Sequence, residues 1–214
     1  MLNMDFSQRV VVETARQPWV QSPRPGVWRK PLAREEAEHG HATSIVRYDP
    51  GARFSAHDHP AGEEILVLEG TFSDETGDYP AGTYFRNPQG FRHAPFSEPG
   101  CVILVKLHQF QPDDHAHVCI DTQAAEWLPG QGNLQVLPLH DFNGESVALV
   151  KWPAGERFKA HVHAGGEEIY VISGEFIDEH GRYPKGTWIR SPHMSRHHPY
   201  VEQDTLIWVK VGHL

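Results

Sequence analysis

The sequence has little cysteine, no long hydrophobic run and no excess of positive charge. Its 214 residues include 2 cysteines, which provide neither a disulfide framework nor the paired spacing of a zinc ribbon. No apolar run approaches the roughly 18 residues that span a membrane, and no basic segment followed by an apolar one indicates a signal peptide. The 28 acidic residues outnumber the 19 basic ones, which argues against nucleic acid as a partner. We therefore expect a cytoplasmic protein that binds neither a membrane nor a nucleic acid.

Helical periodicity is also nearly absent from the sequence. The apolar segments are short, rich in Val, Ile, Tyr and Phe, and separated by Gly, Pro and Asp, as in EEILVLEG and CVILVKLHQF. Short strands with regular turn signals between them predict an all-β sandwich or barrel. One segment, residues 32–38 (LAREEAE), favours a helix.

The chain contains 16 histidines, and an internal repeat accounts for the positions of many of them. GARFSAHDHPAGEEILVLEG, which begins at Gly51, matches GERFKAHVHAGGEEIYVISG, which begins at Gly155. The match continues without a gap to Lys106 and Lys210, and with small gaps it extends upstream to RVVVETARQPWV and HVCIDTQAAEWL. The sequence therefore predicts two copies of one unit, in domains 1–112 and 113–214.

Both copies carry the same histidine and glutamate spacing, Gly-x5-His-x-His-x3-Glu-x6-Gly. His-x-His on a strand places both imidazoles on one face, and the short turn that follows brings the glutamate of the next strand beside them. A further histidine repeats in register and would approach from another strand. Imidazole and carboxylate groups together suit a divalent metal ion. The predicted ligands are His57, His59, Glu63 and His93 in the first site, and His161, His163, Glu167 and His197 in the second.

Further residues are candidates for the pockets beside these sites. Arg86 and Arg190 repeat, and an inward arginine binds a carboxylate or enolate; the alternative is a salt bridge to an acidic residue such as Glu64. Tyr170 and His193 are candidates for the second pocket, because the first copy has different residues at these positions. The two pockets are therefore expected to differ.

The repeated pattern resembles the first motif of the cupin superfamily, and Pro80-Ala-Gly82 and Pro184-Lys-Gly186 resemble the start of its second motif. In common cupins a ligand histidine follows that glycine closely, but Phe85 and Ile189 stand there. HPAGEEILVLEG, GDYPAGTYFRNP and the later His93 are similar to the ChrR-type cupin subfamily. The resemblance implies an all-β bicupin: two tandem jelly-roll (double-stranded β-helix) barrels that form a pseudo-dimer, with one divalent metal per barrel.

The resemblance also bears on function. The ChrR family is named for anti-sigma factors whose C-terminal cupin binds zinc and responds to oxidative stress. Their sigma-binding part is a separate helical domain with a His-x3-Cys-x2-Cys motif, which this sequence lacks, so a sigma factor is not expected as a partner. Zinc is the favoured metal, and iron, manganese and nickel stay open.

Two functions follow from this resemblance, and both stay open. The first is a metal-binding protein that binds a small ligand or responds to oxidative stress as a sensor. The second is a metal-dependent dioxygenase of the Fe(II) type, acting on a diketone or a hydroxyacetophenone-like molecule. Both imply a small-molecule ligand or substrate, and association into a homodimer is left open.

Overall fold

The computed structural model describes residues 1–36 and 39–214. Within these residues the chain forms strands and one short 3-10 turn, Thr14–Arg16, but no α-helix, so the all-β prediction is confirmed. No helix in the described part of the chain is long and apolar enough to cross a membrane. The helix predicted at 32–38 is wrong for its first residues, which end the strand Val27–Arg34 and pair with Ala42–Tyr48. Residues 37 and 38 lie outside the described residues.

The chain divides into two compact units. The first consists of Met1–Met4 and Pro18–Ala124, and the second of Asp5–Gln17 and Ala125–Leu214. Numbered along the whole chain, β1 (Val10–Glu13) belongs to the second unit. The strands of the first unit are β2 (Val20–Gln21), β3 (Val27–Arg34), β4 (Ala42–Tyr48), β5 (Ala52–Arg53), β6 (His57–Asp58), β7 (Glu63–Asp74), β8 (Gly77–Pro80), β9 (Thr83–Asn87), β10 (Arg92–His93), β11 (Phe96–Ser97), β12 (Cys101–Leu107) and β13 (Val118–Asp121). Those that follow β1 in the second unit are β14 (Leu128–Pro129), β15 (Gln135–Phe142), β16 (Glu145–Trp152), β17 (His161–His163), β18 (Glu167–Ser173), β19 (Glu175–Asp178), β20 (Gly181–Pro184), β21 (Thr187–Ser191), β22 (Ser195–His197) and β23 (Thr205–Val211).

The first unit is a jelly-roll barrel built on a large antiparallel sheet. The strand order in this sheet is β13-β9-β7-β12-β4-β3-β2, and the short strands pair as β6 with β10, β5 with β11, and β8 with β7. Ile65, Val67 and Ile103 belong to one buried apolar cluster. Because side chains alternate along a strand, Glu63 shares the inward face of β7 with Ile65 and Val67, and Glu64 lies on the other face.

The second unit repeats this arrangement. Its main sheet has the order β1-β21-β18-β23-β16-β15-β14, and two short pairs, β17 with β22 and β19 with β20, complete it. Ile169, Val171 and Ile207 belong to its buried cluster, at positions equivalent to the core residues of the first unit. Each repeat therefore folds around its own core.

The first strand of each repeat is exchanged between the units. β1 pairs with β21, with Val10 opposite Arg190, and β13 pairs with β9, with Val118 opposite Arg86. Because β1 and β13 are repeat partners, each copy of the sequence completes the sheet of the other. The compact units therefore differ from the predicted limits 1–112 and 113–214. A repeat shows which segments are equivalent, but an edge strand pairs with whichever sheet edge it reaches.

The glycine that closes the repeated motif is required by a close approach of two backbones. Gly70 has φ +71°, and a Cβ atom there would lie 2.0 Å from the carbonyl oxygen of Gly100. At this point the pairing of β7 with β12 shifts its register between Val102 and Ile103. A side chain would therefore disrupt the bulge that bends β7 across the barrel.

Candidate metal centres

The first candidate centre lies where β6 and β10 approach the start of β7. The pairing of β6 with β10 sets His57 opposite His93. The Nε2 atoms of His59 and His93 are 2.9 Å apart. Glu63 Oε2 lies 3.5 Å from Nε2 of His59 and 3.4 Å from Nε2 of His93. The structure thus brings together the four residues that the repeat singled out, with the three histidines forming one cluster.

The second candidate centre repeats this geometry on β17, β18 and β22. His161 pairs with His197 across β17 and β22. Nε2 of His197 lies 3.0 Å from Nε2 of His163 and 3.2 Å from Nε2 of His161. Glu167 Oε1 is 3.3 Å from Nε2 of His163, and its Oε2 is 3.6 Å from Nε2 of His197. All four predicted residues again converge.

These separations are compatible with donor atoms that bind one metal ion. Two imidazole nitrogens, each about 2.1 Å from an ion and about 90–110° apart around it, are roughly 3.0–3.4 Å from each other. The nitrogen separations in both clusters lie close to this range. Three imidazoles and one carboxylate therefore provide a donor set of suitable size for a divalent metal.

The outward ring nitrogens of the first centre explain why its inward nitrogens are free to bind a metal. His57 Nδ1 lies 3.0 Å from the carbonyl oxygen of Ser55, and His93 Nδ1 lies 3.0 Å from Asp74 Oδ2. Both oxygens accept only, so each Nδ1 carries the proton and donates it, and each Nε2 presents a lone pair. Two lone pairs and a carboxylate that converge repel one another unless a cation lies between them.

In the second centre one of these outward hydrogen bonds is repeated, and the contact with the aspartate is longer. His161 Nδ1 donates to the carbonyl oxygen of Lys159 at 2.9 Å. His197 Nδ1 faces Asp178 Oδ2 at 3.7 Å, and Asp178 is the repeat partner of Asp74. The carboxylates therefore orient one histidine in each centre without reaching the metal position.

An arginine from the exchanged segment supports Asp178. Arg9, just before β1, donates from Nη2 to Asp178 Oδ2 at 3.3 Å and to the hydroxyl oxygen of Tyr183 at 2.7 Å. The Tyr183 hydroxyl in turn donates to Asp178 Oδ1 at 2.8 Å. In the first unit the repeat partner of Arg9 is His117, whose ring stacks on Phe91 with centroids 5.4 Å apart. The supports behind the two centres are therefore different.

Burial sets the protonation of the ligands in the metal-free protein. Burial, followed by the charges of His93 and His57, lowers the pKa of His59 to about 3, and burial with His197 and His161 lowers the pKa of His163 to about 4. These two rings therefore stay neutral, which is the form that binds metal.

His93 and Glu167 are ligands whose pKa values are raised. Burial lowers the pKa of His93, but its hydrogen bond to Asp74 and the charge of Glu63 outweigh burial, so the pKa is raised overall. Burial raises the pKa of Glu167 to about 7. Both groups favour the protonated form until a cation takes the place of the proton.

A cavity adjoins each centre. The cavity of the first unit, here the first cavity, has a volume of about 90 Å³ and is lined by His57, His59 and Glu63 together with Arg29 and Arg34. The cavity of the second unit, the second cavity, has about 320 Å³ and an apolar lining that includes Val136, Val150 and Phe158. Neither an arginine nor a lysine is among the described residues that line the second cavity. A small molecule can reach the histidines of both centres.

The predicted pocket arginines point away from the metal centres. Arg86 is fully buried and donates to Glu64 Oε2 at 3.1 Å and to Asp114 Oδ2 at 2.5 Å, which is the salt bridge weighed as the alternative. Arg190 donates to the carbonyl oxygen of Asp5 at 3.0 Å. Because Glu64 alternates with the ligand Glu63 along β7, Arg86 lies on the opposite face of the sheet.

The other two pocket candidates also stand apart from the second cavity. Tyr170 is buried on the face of β18 opposite to Glu167, because the two residues are separated by an odd number of positions. His193 is exposed in a loop, and its Nδ1 accepts a hydrogen bond from the backbone N–H of Gly165 at 2.8 Å. His193 therefore supports the turn between the ligands His163 and Glu167 rather than the cavity wall.

Several residues of the sites escaped the sequence analysis. Asp74 and Asp178 repeat in register, so the repeat itself carried a signal for them. Arg29 and Arg34 have no arginine partner in the second copy, and a search restricted to repeated residues overlooks them. Residues that differ between the two copies therefore contribute to the sites as well as residues that repeat.

Two jelly-roll barrels, each with three histidines and a glutamate at one place in the fold, define a double cupin. The family of ChrR Cupin-like domains matches residues 7–111 and 115–214, so the chain belongs to this family and carries one domain in each repeat. No curated protein matches the chain by sequence.

Solved structures show the same fold at low sequence identity. A protein from Nostoc punctiforme, described as a "putative dioxygenase", has a TM-score of 0.81 at 18% identity, over 96% of this chain and 82% of that one. Protein Ylba from E. coli has a TM-score of 0.72 at 13% identity, over 99% and 93% of the two chains. Oxalate decarboxylase from Bacillus subtilis, studied for its Mn(II) centres, has a TM-score of 0.67 at 14% identity, over 94% and 76%. These similarities establish the fold.

Proposed function

We propose that each barrel binds one divalent metal ion through three histidines and one glutamate, and that zinc is the resident metal. The observation that carries this proposal is the convergence of three histidine Nε2 atoms on a carboxylate in each barrel, with the outward Nδ1 atoms of His57, His93 and His161 each beside an oxygen acceptor. Iron, manganese and nickel suit the same donors, since imidazole does not discriminate strongly among them.

The protein then acts as a metal-dependent binding protein for a small oxygen-containing ligand. Each cavity opens directly onto the histidines, so a ligand can approach the metal position. A divalent metal polarises a ligand oxygen and holds the ligand in place. The chain contributes orientation: Asp74 and the Ser55 carbonyl fix two rings, and Asn87 Nδ2 donates to Glu63 Oε2 at 3.1 Å.

A response to oxidants would use the metal centres rather than the thiols. Cys101 is buried, and burial raises its pKa to about 11. Burial also raises the pKa of Cys119. Neither thiol forms much of the reactive thiolate at neutral pH, so oxidation of a ligand or of the metal is the route we propose for a sensor function.

The second candidate function is a metal-dependent dioxygenase acting on a neutral diketone or a hydroxyacetophenone-like molecule. The second cavity favours it, because about 320 Å³ with apolar walls beside three histidines matches the size and polarity of such a substrate. The similarity to the Nostoc punctiforme protein described above supports the same candidate.

Metal analysis of protein purified without a chelating resin tests the proposal. We expect two equivalents of a divalent metal per chain. Zinc without oxygen uptake supports the binding function, whereas iron together with oxygen uptake on pentane-2,4-dione supports the dioxygenase. Protein that stays metal-free after incubation with zinc, iron, manganese and nickel would refute both.

A further inference from the structure

The two cavities differ in charge, and the difference comes from two arginines of β3. Arg29 and Arg34 line the first cavity together with the metal-centre histidines. In the second unit the strand pairing places Val136 and Asp141 at the equivalent positions of β15. Val136 lines the second cavity, whereas Asp141 is exposed and accepts a hydrogen bond from Ser146 outside it.

A break in strand register allows both arginines to face the same cavity. Residues five positions apart on a regular strand point to opposite faces. The pairing of β3 with β4 shifts between Pro31 and Ala33, so that Arg29 lies opposite Val46 and Arg34 opposite Ala42. Both partners line the first cavity. The bulge therefore restores Arg34 to the inward face and sets two guanidinium groups beside one metal centre.

The approach to the first centre is also positively charged. An outer chamber of about 860 Å³ shares Arg29, His57 and His59 with the first cavity and adds Arg24 to its lining. The acidic residue of this chamber, Asp58, is paired with Arg92 at 3.1 Å. A divalent metal with one glutamate ligand adds a further net positive charge. Although the whole chain carries a formal charge of −9, arginines outnumber unpaired acidic side chains among the described residues that line this chamber.

We propose that the first centre binds a small carboxylate, with Arg29 and Arg34 holding the carboxylate group and a second oxygen of the ligand facing the metal position. This inference rests on the proposed function. Guanidinium groups match carboxylates in geometry and remain charged. A cavity of about 90 Å³ holds only a few non-hydrogen atoms, since one water molecule occupies about 30 Å³ in the liquid. A 2-oxo acid of this size carries both required groups, and the second centre, without arginine in its lining, takes a neutral ligand.

Calorimetric titration of the metal-loaded full chain with pyruvate, and with its neutral counterpart pyruvamide, tests this proposal. We expect pyruvate to bind at one site per chain and pyruvamide at least about tenfold more weakly, because a charge-assisted pair contributes about 1.5–3 kcal/mol. Arg29→Gln and Arg34→Gln should each weaken pyruvate binding at least about tenfold without a loss of bound metal.

Lys30→Gln is the matched control for these two variants. Lys30 lies next to Arg29 on β3, but its side chain rests over the ring of Trp19, 4.5 Å from the centroid, and it does not line the cavity. The Lys30→Gln variant removes one positive charge from the same strand as the two arginine variants. It should leave the affinity for pyruvate within about twofold of the wild-type value. Should a glutamine variant lose its fold, Arg29→Lys provides the second test, because it keeps the charge but loses the bidentate geometry.

The outcomes separate this inference from the metal proposal. Metal content is measured on every variant, so a chain that binds no metal refutes the proposed function, and the arginine dependence is then measured on the metal-free protein. The carboxylate proposal is overturned if pyruvate does not bind, if pyruvamide binds equally well, or if both glutamine variants retain full pyruvate affinity. Binding that survives His161→Ala but not His57→Ala would locate the carboxylate in the first unit, as expected.

Discussion

At the scale of single residues, each centre depends on a carboxylate that never reaches the metal position. Asp74 accepts a hydrogen bond from His93, and Asp178 accepts hydrogen bonds from Tyr183 and Arg9 and faces His197. In both cases these interactions outweigh burial and lower the pKa of the carboxyl to about 2. Each therefore stays ionised and keeps its histidine in the tautomer that presents Nε2 inward. The candidate centres therefore depend on one aspartate each in addition to the four predicted ligands.

Replacement of one ligand histidine should empty one centre only. His57→Ala removes an imidazole from the first centre and is expected to reduce bound metal from two equivalents to one per chain, as measured by mass spectrometry of the dissolved metal. His198→Ala is the control, because this exposed histidine adjoins a ligand but contacts Glu179 through its backbone N–H. Loss of metal from both centres in His57→Ala would show that they are not independent.

Mild acid should release the metal. The raised pKa values of His93 and His197 mean that these rings take up protons first as the pH falls, and a protonated ring cannot bind metal. We expect the apparent affinity to decline below about pH 6.5, the ordinary value for histidine. A competition titration with a chelator at a series of pH values measures this decline. Affinity that stays constant down to pH 4 would contradict these ligands.

In the metal-free protein, the buried Glu167 should oppose the stability that the neutral rings of His59 and His163 contribute as the pH rises from about 4.5 to about 7. The buried Glu167 carboxyl binds its proton more tightly in the folded state than in the unfolded state, so its contribution to stability is full below pH 4.5 and is lost through pH 7. The raised pKa of His197 acts in the same direction. The upper limit of the Glu167 contribution is about 3 kcal/mol.

Urea unfolding in the presence of a chelator measures this dependence. Relative to the wild-type chain, Glu167→Gln should gain stability as the pH rises over this range, because it removes the titrating carboxyl while keeping the size of the side chain. Addition of metal should abolish this dependence, since the cation replaces the proton. A stability difference between the wild-type chain and Glu167→Gln that stays constant from pH 4.5 to pH 7 would contradict the assignment.

At the scale of strands, the exchange of β1 links the second centre to the opposite end of the chain. Arg9 precedes β1 and holds Asp178, which orients His197. We expect Arg9→Gln to weaken metal binding at the second centre by about tenfold, the usual cost of removing an outer support. The first centre should keep its affinity. His117→Gln, at the repeat partner of Arg9, is the control, and equal effects on both centres would contradict this role.

The sequence predicted the ligands better than it predicted their surroundings, and the reason is physical. His57, His59 and Glu63 are fixed by local geometry, a strand and a turn, so their spacing alone brings them together. Arg34 reaches its cavity only because β3 has a bulge after Pro31. A proline within a strand is a signal for such a bulge, but its effect on the direction of Arg34 was not deduced from the sequence. Arg86 repeats just as the ligands do, yet strand alternation turns it to the other face.

At the scale of the whole molecule, the compact units rather than the repeat limits should mark the boundaries of stable fragments. Fragment 18–124 keeps β13 against β9, whereas fragment 1–112 leaves that edge unpaired. We expect fragment 18–124 to melt at a higher temperature and to bind one equivalent of metal. Equal melting temperatures, measured by circular dichroism with metal present, would show that the exchanged strand contributes little.

Association of two whole chains stays a prediction, and light scattering during size-exclusion chromatography measures it. A mass near 24.2 kDa would indicate a monomer, and twice this value a homodimer. The measurement is best made with metal-loaded protein, because exposed sheet edges in a partly unfolded chain can associate non-specifically.

The exchange of β1 and β13 has a consequence for how such a chain can arise. One copy of the unit alone has a sheet edge that its own first strand does not fill, so the simplest ancestor is a pair of identical chains that completed each other. In a single chain that contains both copies, each copy always pairs with one copy of the other kind. A substitution in one copy of the unit then leaves the other copy unchanged, so the two copies can differ. The arginines of β3 in one copy and the valine of β15 in the other are the kind of divergence that only a fused pair permits.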